Sequence, residues 1–320
     1  MVKVGVDAGT KSYGVFVLEE RKLYEFESSE VRENPESFVE FLKELNPEVG
    51  AGLSGYGLPI KNFKELTDKD IFLMTLKKEG SYIGMSSVIR RIRDEELNFF
   101  TIPGVIHLNT VPAYRKVNRI DMGTSDKVCS AALALAEFGE GDFILAEIGY
   151  GFNAFLALKN GKIVDGIGGS SGFPSHLSVS AIDAELACLM KVTKDVVFSG
   201  GLKSFFEDRG EEFSFEAFAE WILKGIYAMK AVVDENFVVL SGRFAEEVKR
   251  FIAERFDVKI LKGFESGKQA AEGAAIIADG LSGGEYKEIV ERLELRKASG
   301  CIFDYVTSDL KKFFFEKPEC

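Results

Sequence analysis

The chain has 320 residues, of which 46% are hydrophobic and 28% are charged, and this composition excludes a largely disordered protein. Its length allows two domains with separate cores. The formal net charge of −11 argues against non-specific binding to nucleic acid or to an anionic membrane surface, since both need a cationic face. We therefore expect neither a nucleic-acid partner nor a membrane partner.

The first predicted element is a hairpin at the N-terminus. Val4 and Val6 follow the two-residue period of a strand, and residues 15–18 resume it. The turn between these strands reads Asp7-Ala8-Gly9-Thr10-Lys11-Ser12. Its glycine lets backbone amides approach an anion, and its carboxylate suits a hydrated Mg²⁺, which uses only one or two protein carboxylates. The alternative is an ordinary polar β-turn.

The segments that follow alternate between helix and strand patterns. Asn34-Pro35-Glu36-Ser37 begins an amphipathic helix, and residues 49–56 read as a buried strand. Residues 60–100 read as helical and charged, and residues 105–108 read as a short strand. Residues 125–138 predict a helix that is capped by Thr124 or Ser125.

A second hairpin of the same kind begins about 140 residues after the first. The apolar residues 143–146 lead into Glu147-Ile148-Gly149-Tyr150-Gly151, and residues 154–158 read as the return strand. Asn160-Gly161 predicts a tight turn, since both residues tolerate positive φ. Two acidic-then-glycine turns imply an internal duplication of one unit. Facing each other across a cleft, they could hold a polyphosphate from both sides.

Four other segments of the chain contain turns with glycine. Residues 238–244 (VVLSGRF) and 196–201 (VVFSGG) each read as an apolar strand that ends in a small-residue turn. Residues 166–172 lack the spacing of a dinucleotide fingerprint and predict a loop at the cleft mouth or an anion-binding turn for substrate. Residues 263–268 (GFESGK) lack the length and the hydroxyl residue of a P-loop.

These motifs, in their order along the chain, resemble those of the superfamily of acetate and sugar kinases, heat-shock chaperones and actin. Its first phosphate motif is similar to residues 7–12 and its second to residues 147–151, although Asp is usual where Glu147 stands. Its adenosine motif resembles residues 238–244, with Arg243 in place of the usual second glycine. Gly273-Ala274-Ala275 matches its closing helix.

The resemblance implies an α/β fold with two ribonuclease H-like (actin-type ATPase) domains, whose mixed sheets flank a nucleotide cleft. The first domain would comprise residues 1–138 with the C-terminal helices from about 271–320, and the second residues 139–270. ATP and Mg²⁺ are the implied cofactors, and Asp7 and Glu147 are the implied metal carboxylates. The implied nucleotide-binding residues are Gly9, Thr10, Lys11, Ser12, Gly149, Tyr150, Gly151, Ser241, Gly242 and Arg243.

The adenosine contact is left open between residues 199–201 and 241–243, and we prefer the latter because a helix pattern follows them directly. Residues 121–127 are similar to the Gly-Thr-Ser-His-Lys segment of acetate and butyrate kinases, with Asp126 at the family's His. The whole chain looks most like an archaeal family described as butyrate-kinase-like. Its single glutamine and abundant lysine and glutamate are typical of proteins from hot environments.

Phosphoryl transfer needs alignment and charge neutralisation more than covalent chemistry. An alcohol acceptor requires a base, whereas a carboxylate acceptor requires cations that bring two anions together. Asp121 is the predicted catalytic residue, as base or as anchor for magnesium-bound water, and Asp126 is second. Arg115 and Arg119 could clamp a carboxylate if their stretch is helical; the alternative is a surface ion-pair network. The other predicted substrate contacts are Ser54 and Gly55.

These features favour an ATP-dependent phosphotransferase that acts on a small molecule, with a short-chain carboxylic acid as the preferred acceptor. The alternatives are a sugar or polyol kinase, an ATPase switch that regulates a protein partner, and a nucleotide-binding regulator without turnover. The chain shows no apolar signal-like core and no apolar run of about 18 residues, so we expect a cytoplasmic protein, and a homodimer is left open. The spacing of Cys129, Cys188, Cys301 and Cys320 indicates neither a zinc site nor a disulfide framework.

Overall fold

The computed structural model describes residues 2–53, 55–77 and 84–314. The chain divides into two compact units. The first unit comprises Met1–Ile120, Thr124–Gly139 and Lys262–Cys320, and the second comprises Asp121–Gly123 and Glu140–Leu261. Over the described parts of the chain, no helix has both the length and the apolar character needed to cross a bilayer.

The described residues form strands and helices in an α/β succession. The strands are β1 (Lys3–Ala8), β2 (Ser12–Val17), β3 (Lys22–Glu27), β4 (Val49–Gly52), β5 (Phe99–Phe100), β6 (Phe143–Ile148), β7 (Asn153–Lys159), β8 (Lys162–Ile167), β9 (Phe237–Ser241) and β10 (Asp257–Ile260). The α-helices are α1 (Ser28–Glu33), α2 (Pro35–Glu44), α3 (Asp68–Thr75), α4 (Met85–Asp94), α5 (Ser125–Phe138), α6 (Ala184–Cys188), α7 (Lys194–Val197), α8 (Leu202–Arg209), α9 (Phe215–Lys230), α10 (Ala245–Ile252), α11 (Gln269–Leu281), α12 (Lys287–Arg292) and α13 (Ser308–Lys311). Short 3-10 helices lie at Phe63–Glu65, Val105–His107, Ala113–Arg115, Gly169–Ser171 and Leu295–Lys297.

Each unit contains a mixed five-stranded sheet, and the two sheets have the same topology. Their strand orders are β3-β2-β1-β4-β5 and β8-β7-β6-β9-β10. In both, the first three strands are antiparallel and the last two run parallel to the central one. Asp7 pairs with Gly14 and Glu147 pairs with Ala154, so the two acidic residues lie at the same offset from their turns. The predicted duplication is therefore confirmed at the level of topology.

The local signals of the sequence explain most element boundaries. The side chain of Asn34 accepts a hydrogen bond from the Ser37 amide at 3.1 Å and so starts α2 one residue later, at Pro35. Asn160 and Gly161 have φ angles of 51° and 70°, as the tight turn between β7 and β8 requires.

Other expectations from the sequence were wrong. Residues 105–108 begin as a 3-10 helix rather than as a strand, and the carbonyl of His107 accepts a hydrogen bond from the distant Ser299 amide at 3.0 Å. Cys301 is disulfide-bonded, whereas Cys129 and Cys188 are free thiols. For residues 105–108, a strand pattern of only four residues cannot exclude a helical turn that long-range hydrogen bonds stabilise.

Residues 262–270 lie in the first unit, whereas the sequence placed them in the second domain. Glu137 of α5 accepts hydrogen bonds from the amides of residues 262 and 263, at 3.0 and 2.7 Å. Glu272 of α11 accepts hydrogen bonds from the amides of residues 264 and 266, at 2.8 and 2.9 Å. These bonds tie the segment to two helices of the first unit.

Helix α11 packs against β1 and α5 through small residues. Ala271, Ala274 and Ala275 are fully buried. A Cβ atom on Gly273 would lie 1.9 Å from the carbonyl oxygen of Cys129 in α5, which is backbone and cannot move aside. The close contact of the two helices therefore depends on the absence of a side chain at this position.

We expect Gly273→Ala to destabilise the first unit by about 3 kcal/mol, because overpacking against backbone forces the helices apart. Gly141→Ala is the matched control, since a Cβ atom there would meet nothing within 4 Å. Urea denaturation of both variants measures the difference. A Gly273→Ala protein as stable as the control would contradict this account of the packing.

A buried histidine makes the stability of the first unit depend on pH. His107 is 1% exposed, and burial lowers its pKa to about 4; the Lys116 ammonium acts in the same direction, while the Gly104 backbone and Asp304 oppose it. The unfolded chain therefore binds more protons than the folded chain between about pH 6.5 and pH 4. Stability from this group is present above pH 6.5 and is lost as the pH falls through that window.

We expect the free energy of unfolding to fall by about 3 kcal/mol from this group between pH 7 and pH 4, at about 1.4 kcal/mol per pKa unit. Denaturant titrations at both pH values measure it. His107→Leu should flatten the dependence by that amount, since it removes the titrating ring. An unchanged slope in His107→Leu would show that other groups carry the acid sensitivity.

Candidate functional site

The first turn that the sequence predicts to bind phosphate (the first phosphate turn, residues 7–12) joins β1 to β2. A Cβ atom on Gly9 would lie 2.7 Å from the carbonyl oxygen of Ser12, so the turn closes only with glycine at this position. The Ser28 hydroxyl donates to the Gly9 carbonyl at 2.9 Å and holds the turn from outside. Thr10 and Lys11 at its tip are exposed. The turn is therefore fixed at its base and accessible at its tip.

Asp7 stands at the end of β1, next to this turn, and is half-buried. Its charge affects the neighbouring strand: burial raises the pKa of Tyr13 to about 12, Arg32 lowers that pKa, and Asp7 raises it. Tyr13 is consequently a neutral phenol at physiological pH. Asp7 therefore lies at the base of the turn, close enough for its charge to act on Tyr13.

The second phosphate turn joins β6 to β7 and repeats the geometry of the first. A Cβ atom on Gly149 would lie 2.5 Å from the carbonyl oxygen of Phe152, three residues on, as for Gly9 and Ser12. The Gly149 amide donates to that carbonyl at 3.1 Å. A Cβ atom on Gly151 would meet nothing within 4 Å, so the space beside it is open. The Tyr150 ring packs 5.1 Å from that of His176.

Ser241 and Gly242 lie beside this second turn. Gly242 has a φ of +87°, and a Cβ atom on it would lie 2.7 Å from the carbonyl oxygen of Ile148. The same carbonyl accepts a hydrogen bond from the Phe244 amide at 3.1 Å. Helix α10 begins at Ala245, so residues 238–244 form a strand, a turn and a helix start. The guanidinium of Arg243, an exposed residue, lies 5.9 Å from the Tyr150 ring.

The competing segment does not have this geometry. Val196 and Val197 lie in helix α7 rather than in a strand. Gly200 forms an isolated bridge with Ser178. Of the two segments, only residues 238–244 place a glycine turn at the end of a sheet strand, next to a phosphate turn.

Among the described residues, two of the buried polar atoms without a hydrogen-bond partner belong to strands of the second sheet. They are the hydroxyl of Ser241 and the amide oxygen of Asn153. Ser241 is 1% exposed and pairs in register with Glu147, which places both side chains on one face of the sheet. An unsatisfied buried polar group costs about 1–3 kcal/mol, so these atoms indicate that water or a ligand completes the site.

Asp121 is 6% exposed, and the protein itself supplies its hydrogen bonds. The amide and the hydroxyl of Ser170 both donate to Oδ2 at 2.8 Å, and the Gly123 amide donates to Oδ1 at 3.1 Å. A Cβ atom on Gly168 would lie 1.7 Å from Oδ1. The glycine-rich loop of residues 166–172 therefore binds an anion, and that anion is the Asp121 carboxylate.

Asp126 lies in the first turn of α5. It accepts hydrogen bonds from the Thr124 hydroxyl and from the Lys127 ammonium, the latter at 2.5 Å. Burial alone would raise the pKa of Asp126, but the Lys127 charge and these hydrogen bonds outweigh it, so the pKa lies below its ordinary value. The Thr124 side chain does not cap the helix, which differs from the cap predicted for Thr124 or Ser125. Asp126 is an ion-paired carboxylate at neutral pH.

The remaining predicted substrate contacts are in the first unit. Residues 113–115 form a 3-10 helix that ends before Lys116, and Asn118 has a φ of 54°, so Arg115 and Arg119 do not share a helical face. The helical clamp proposed from the sequence is therefore wrong. The Gly55 carbonyl accepts a hydrogen bond from the Ser125 amide at 3.0 Å, beside Asp126. Ser54 lies outside the described residues.

Sequence reasoning missed Lys268. Its ammonium donates to the Ser12 carbonyl at 3.1 Å and would lie 3.3 Å from a Cβ atom on Gly9. It therefore contacts the first phosphate turn directly. The lysine belongs to the segment set aside as too short for a P-loop, and nothing local in that segment signals a contact 256 residues away.

A divalent cation would meet single carboxylates rather than a preformed cage. No group of three His, Cys, Asp or Glu side chains that could hold a metal is found among the described residues. Asp7 and Glu147 lie at equivalent places in the two units, one carboxylate per turn. A single carboxylate at the base of a turn, such as Asp7, fits a hydrated Mg²⁺, because this ion keeps several waters and uses one or two carboxylates.

Comparison with known proteins supports the same fold. A model of the family described as "Protein of unknown function (DUF1464)" matches residues 5–308. No curated protein matches the sequence. A propionate kinase from Francisella tularensis subsp. tularensis SCHU S4 is similar in structure, with a TM-score of 0.58 and 13% identity over 85% of this chain and 98% of that one. An acetate kinase from Entamoeba histolytica gives a TM-score of 0.52 and 13% identity over 77% of each chain.

These identities establish a shared fold and no more. The chain has the α/β fold of these two kinases, with two mixed five-stranded sheets. The fold class predicted from the sequence is thereby confirmed.

Proposed function

The chain belongs to the DUF1464 family, a family described as of unknown function, and we propose that it is an ATP-dependent phosphotransferase acting on a small molecule. The observation that carries the proposal is the pair of equivalent turns. Each has one carboxylate and one glycine in the same register at the end of a central strand. Backbone amides in such turns are donors for phosphate oxygens. Each turn is therefore suited to bind phosphate oxygens.

In this proposal each turn has a separate task. Amides of Gly9 and Thr10, and those of residues 149–151, would bind phosphate oxygens. Asp7 would hold a magnesium-bound water, with Glu147 as the equivalent carboxylate of the second turn. Bound Mg²⁺ supplies charge neutralisation at the phosphates. Ser241 and Gly242 would contact the adenosine, and the unpartnered Ser241 hydroxyl supports a ligand there.

For the acceptor we propose a short-chain carboxylic acid. The two similar folds cited above belong to an acetate kinase and a propionate kinase. An ionised carboxylate needs no general base. Asp121 is the residue that the sequence predicts as a general base. Its two oxygens already accept hydrogen bonds from Ser170 and Gly123. A carboxylate acceptor therefore does not require Asp121 to act as a base, a role that its existing hydrogen bonds would oppose.

The test is a screen for ADP release from Mg-ATP with short carboxylic acids, sugars and polyols. Release that depends on a carboxylic acid supports the full proposal. Release that depends on a sugar or polyol keeps the phosphotransferase and overturns the acceptor. Release without any acceptor favours an ATPase switch. No binding and no turnover of Mg-ATP would remove the proposal altogether.

A further inference from the structure

Lys268 reaches the first phosphate turn across the surface of the first sheet. It immediately precedes α11, and its side chain passes over Gly14 of β2. A Cβ atom on Gly14 would lie 3.2 Å from Lys268 Cγ and 3.4 Å from Cδ. The ammonium then lies 3.1 Å from the Ser12 carbonyl oxygen. Gly9 and Gly14 together leave the space that this side chain occupies.

The backbone before Lys268 is held on both sides. As described above, Glu137 and Glu272 accept four amide hydrogen bonds from residues 262–266. Glu272 is fully buried, and a Cβ atom on Gly263 would lie 2.0 Å from its Oε2. The Lys268 amide donates to the Ser266 hydroxyl at 3.3 Å. A buried carboxylate that fixes a polar loop holds the starting point of the Lys268 side chain in place.

Contacts with the described residues do not use all the donors of the Lys268 ammonium. An ammonium has three donors, and the Ser12 carbonyl takes one. Glu25 Oε1 lies 3.7 Å away, and the Glu25 side chain is 52% exposed, so this ion pair is screened by water. Asp7 Oδ2 and the Lys268 ammonium lie 3.7 and 3.3 Å from the same point, the position of a Cβ atom on Gly9. A cation and an anion thus stand together at the turn.

We propose that Lys268 is a phosphate-contacting cation of the first turn. The assignment rests on the proposed function and adds one residue to the proposed phosphate-binding site. Lys268 binds a phosphate oxygen of the nucleotide directly, while Asp7 acts through magnesium-bound water. Its partner Glu25 is exchanged for the phosphate when the nucleotide binds. The contact is charge-assisted, which makes it stronger than a neutral hydrogen bond.

The experiment measures binding of Mg-ATP and of adenosine by calorimetry. The variants are Lys268→Met, Lys268→Gln, which keeps a donor for the Ser12 carbonyl, and Lys268→Arg, which keeps the charge. Lys262→Met is the matched control, since Lys262 is an exposed lysine of the same segment. We expect the Met and Gln variants to bind Mg-ATP roughly 10- to 100-fold more weakly, as expected for loss of a hydrogen bond to a charged group. Adenosine affinity should be unchanged, and Lys268→Arg should retain most of the Mg-ATP affinity.

The outcomes separate this assignment from the function on which it rests. If the wild-type protein does not bind Mg-ATP, the proposed function fails and the assignment fails with it. If wild type binds and Lys268→Met binds equally well, only the assignment is overturned. If Lys268→Met and Lys268→Gln lose Mg-ATP and adenosine affinity in parallel, together with a lower melting temperature, Lys268 is a brace for the turn and the assignment is overturned.

Discussion

Asp7→Ala is expected to lower the rate of phosphoryl transfer by roughly 10²- to 10³-fold, the cost of removing one preorganised electrostatic contact from a transition state. The fold should remain intact. Asp7 stands at the end of β1, where its side chain is half-buried, and the strand pairing with Gly14 is made by the backbone. The loss should appear in kcat at limiting Mg²⁺ and should be partly reversed by raising the Mg²⁺ concentration, because the carboxylate acts through the ion.

Asp257→Ala is the matched control for this prediction. Asp257 is an exposed aspartate at the edge of the second sheet, on β10. Its loss changes the net charge by the same amount and leaves both turns unaltered. Single-turnover rates with Mg-ATP and an acceptor from the screen, together with melting temperatures, separate chemistry from folding. Equal activity of Asp7→Ala and the control would refute the role assigned to the first turn.

Asp121→Asn is expected to destabilise the second unit by roughly 3 kcal/mol, because charge-assisted hydrogen bonds are lost and the new amide group faces other donors. Asparagine keeps one acceptor oxygen, so either the Gly123 amide or the Ser170 amide and hydroxyl would face its NH₂ group in place of an oxygen. If the acceptor is a carboxylate, the rate per folded molecule should fall far less than the 10²- to 10⁴-fold that removal of a general base costs. Denaturant titration and kcat, measured on the same samples, give both quantities.

Ser170→Ala is the companion variant. It removes one donor to Asp121 and keeps the carboxylate. If Asp121 anchors residues 168–171, both variants lower stability and neither slows chemistry strongly. If Asp121 is a base, only Asp121→Asn slows the reaction by two orders of magnitude or more, and its stability changes little. A strong loss of rate in Asp121→Asn alone would also favour an alcohol as the acceptor.

Arg115 and Arg119 show why part of the site could not be predicted from the sequence. Their four-residue spacing fits a helical face, and nothing nearby forbids a helix. In the fold, the Asn118 amide donates to the Tyr305 carbonyl at 2.9 Å, and the Asn118 side chain accepts from the Thr307 amide at 2.9 Å. These partners are almost 190 residues away and hold Asn118 at positive φ. Tertiary hydrogen bonds override a local preference worth only a few tenths of a kcal/mol.

The sequence by itself determined the two phosphate turns, the strand-turn-helix at residues 238–244 and the duplicated α/β unit. Each of these follows from residues that are neighbours in the chain, through strand periodicity and the glycine that a tight turn needs. Only the tertiary structure decided which polar groups are available to a ligand. In the fold, the Ser170 hydroxyl donates a hydrogen bond to the Asp121 carboxylate, and the Lys268 ammonium donates one to the Ser12 carbonyl. The reason is physical: a charged side chain binds whatever partner the fold brings within about 3 Å, and the order of residues does not encode that distance.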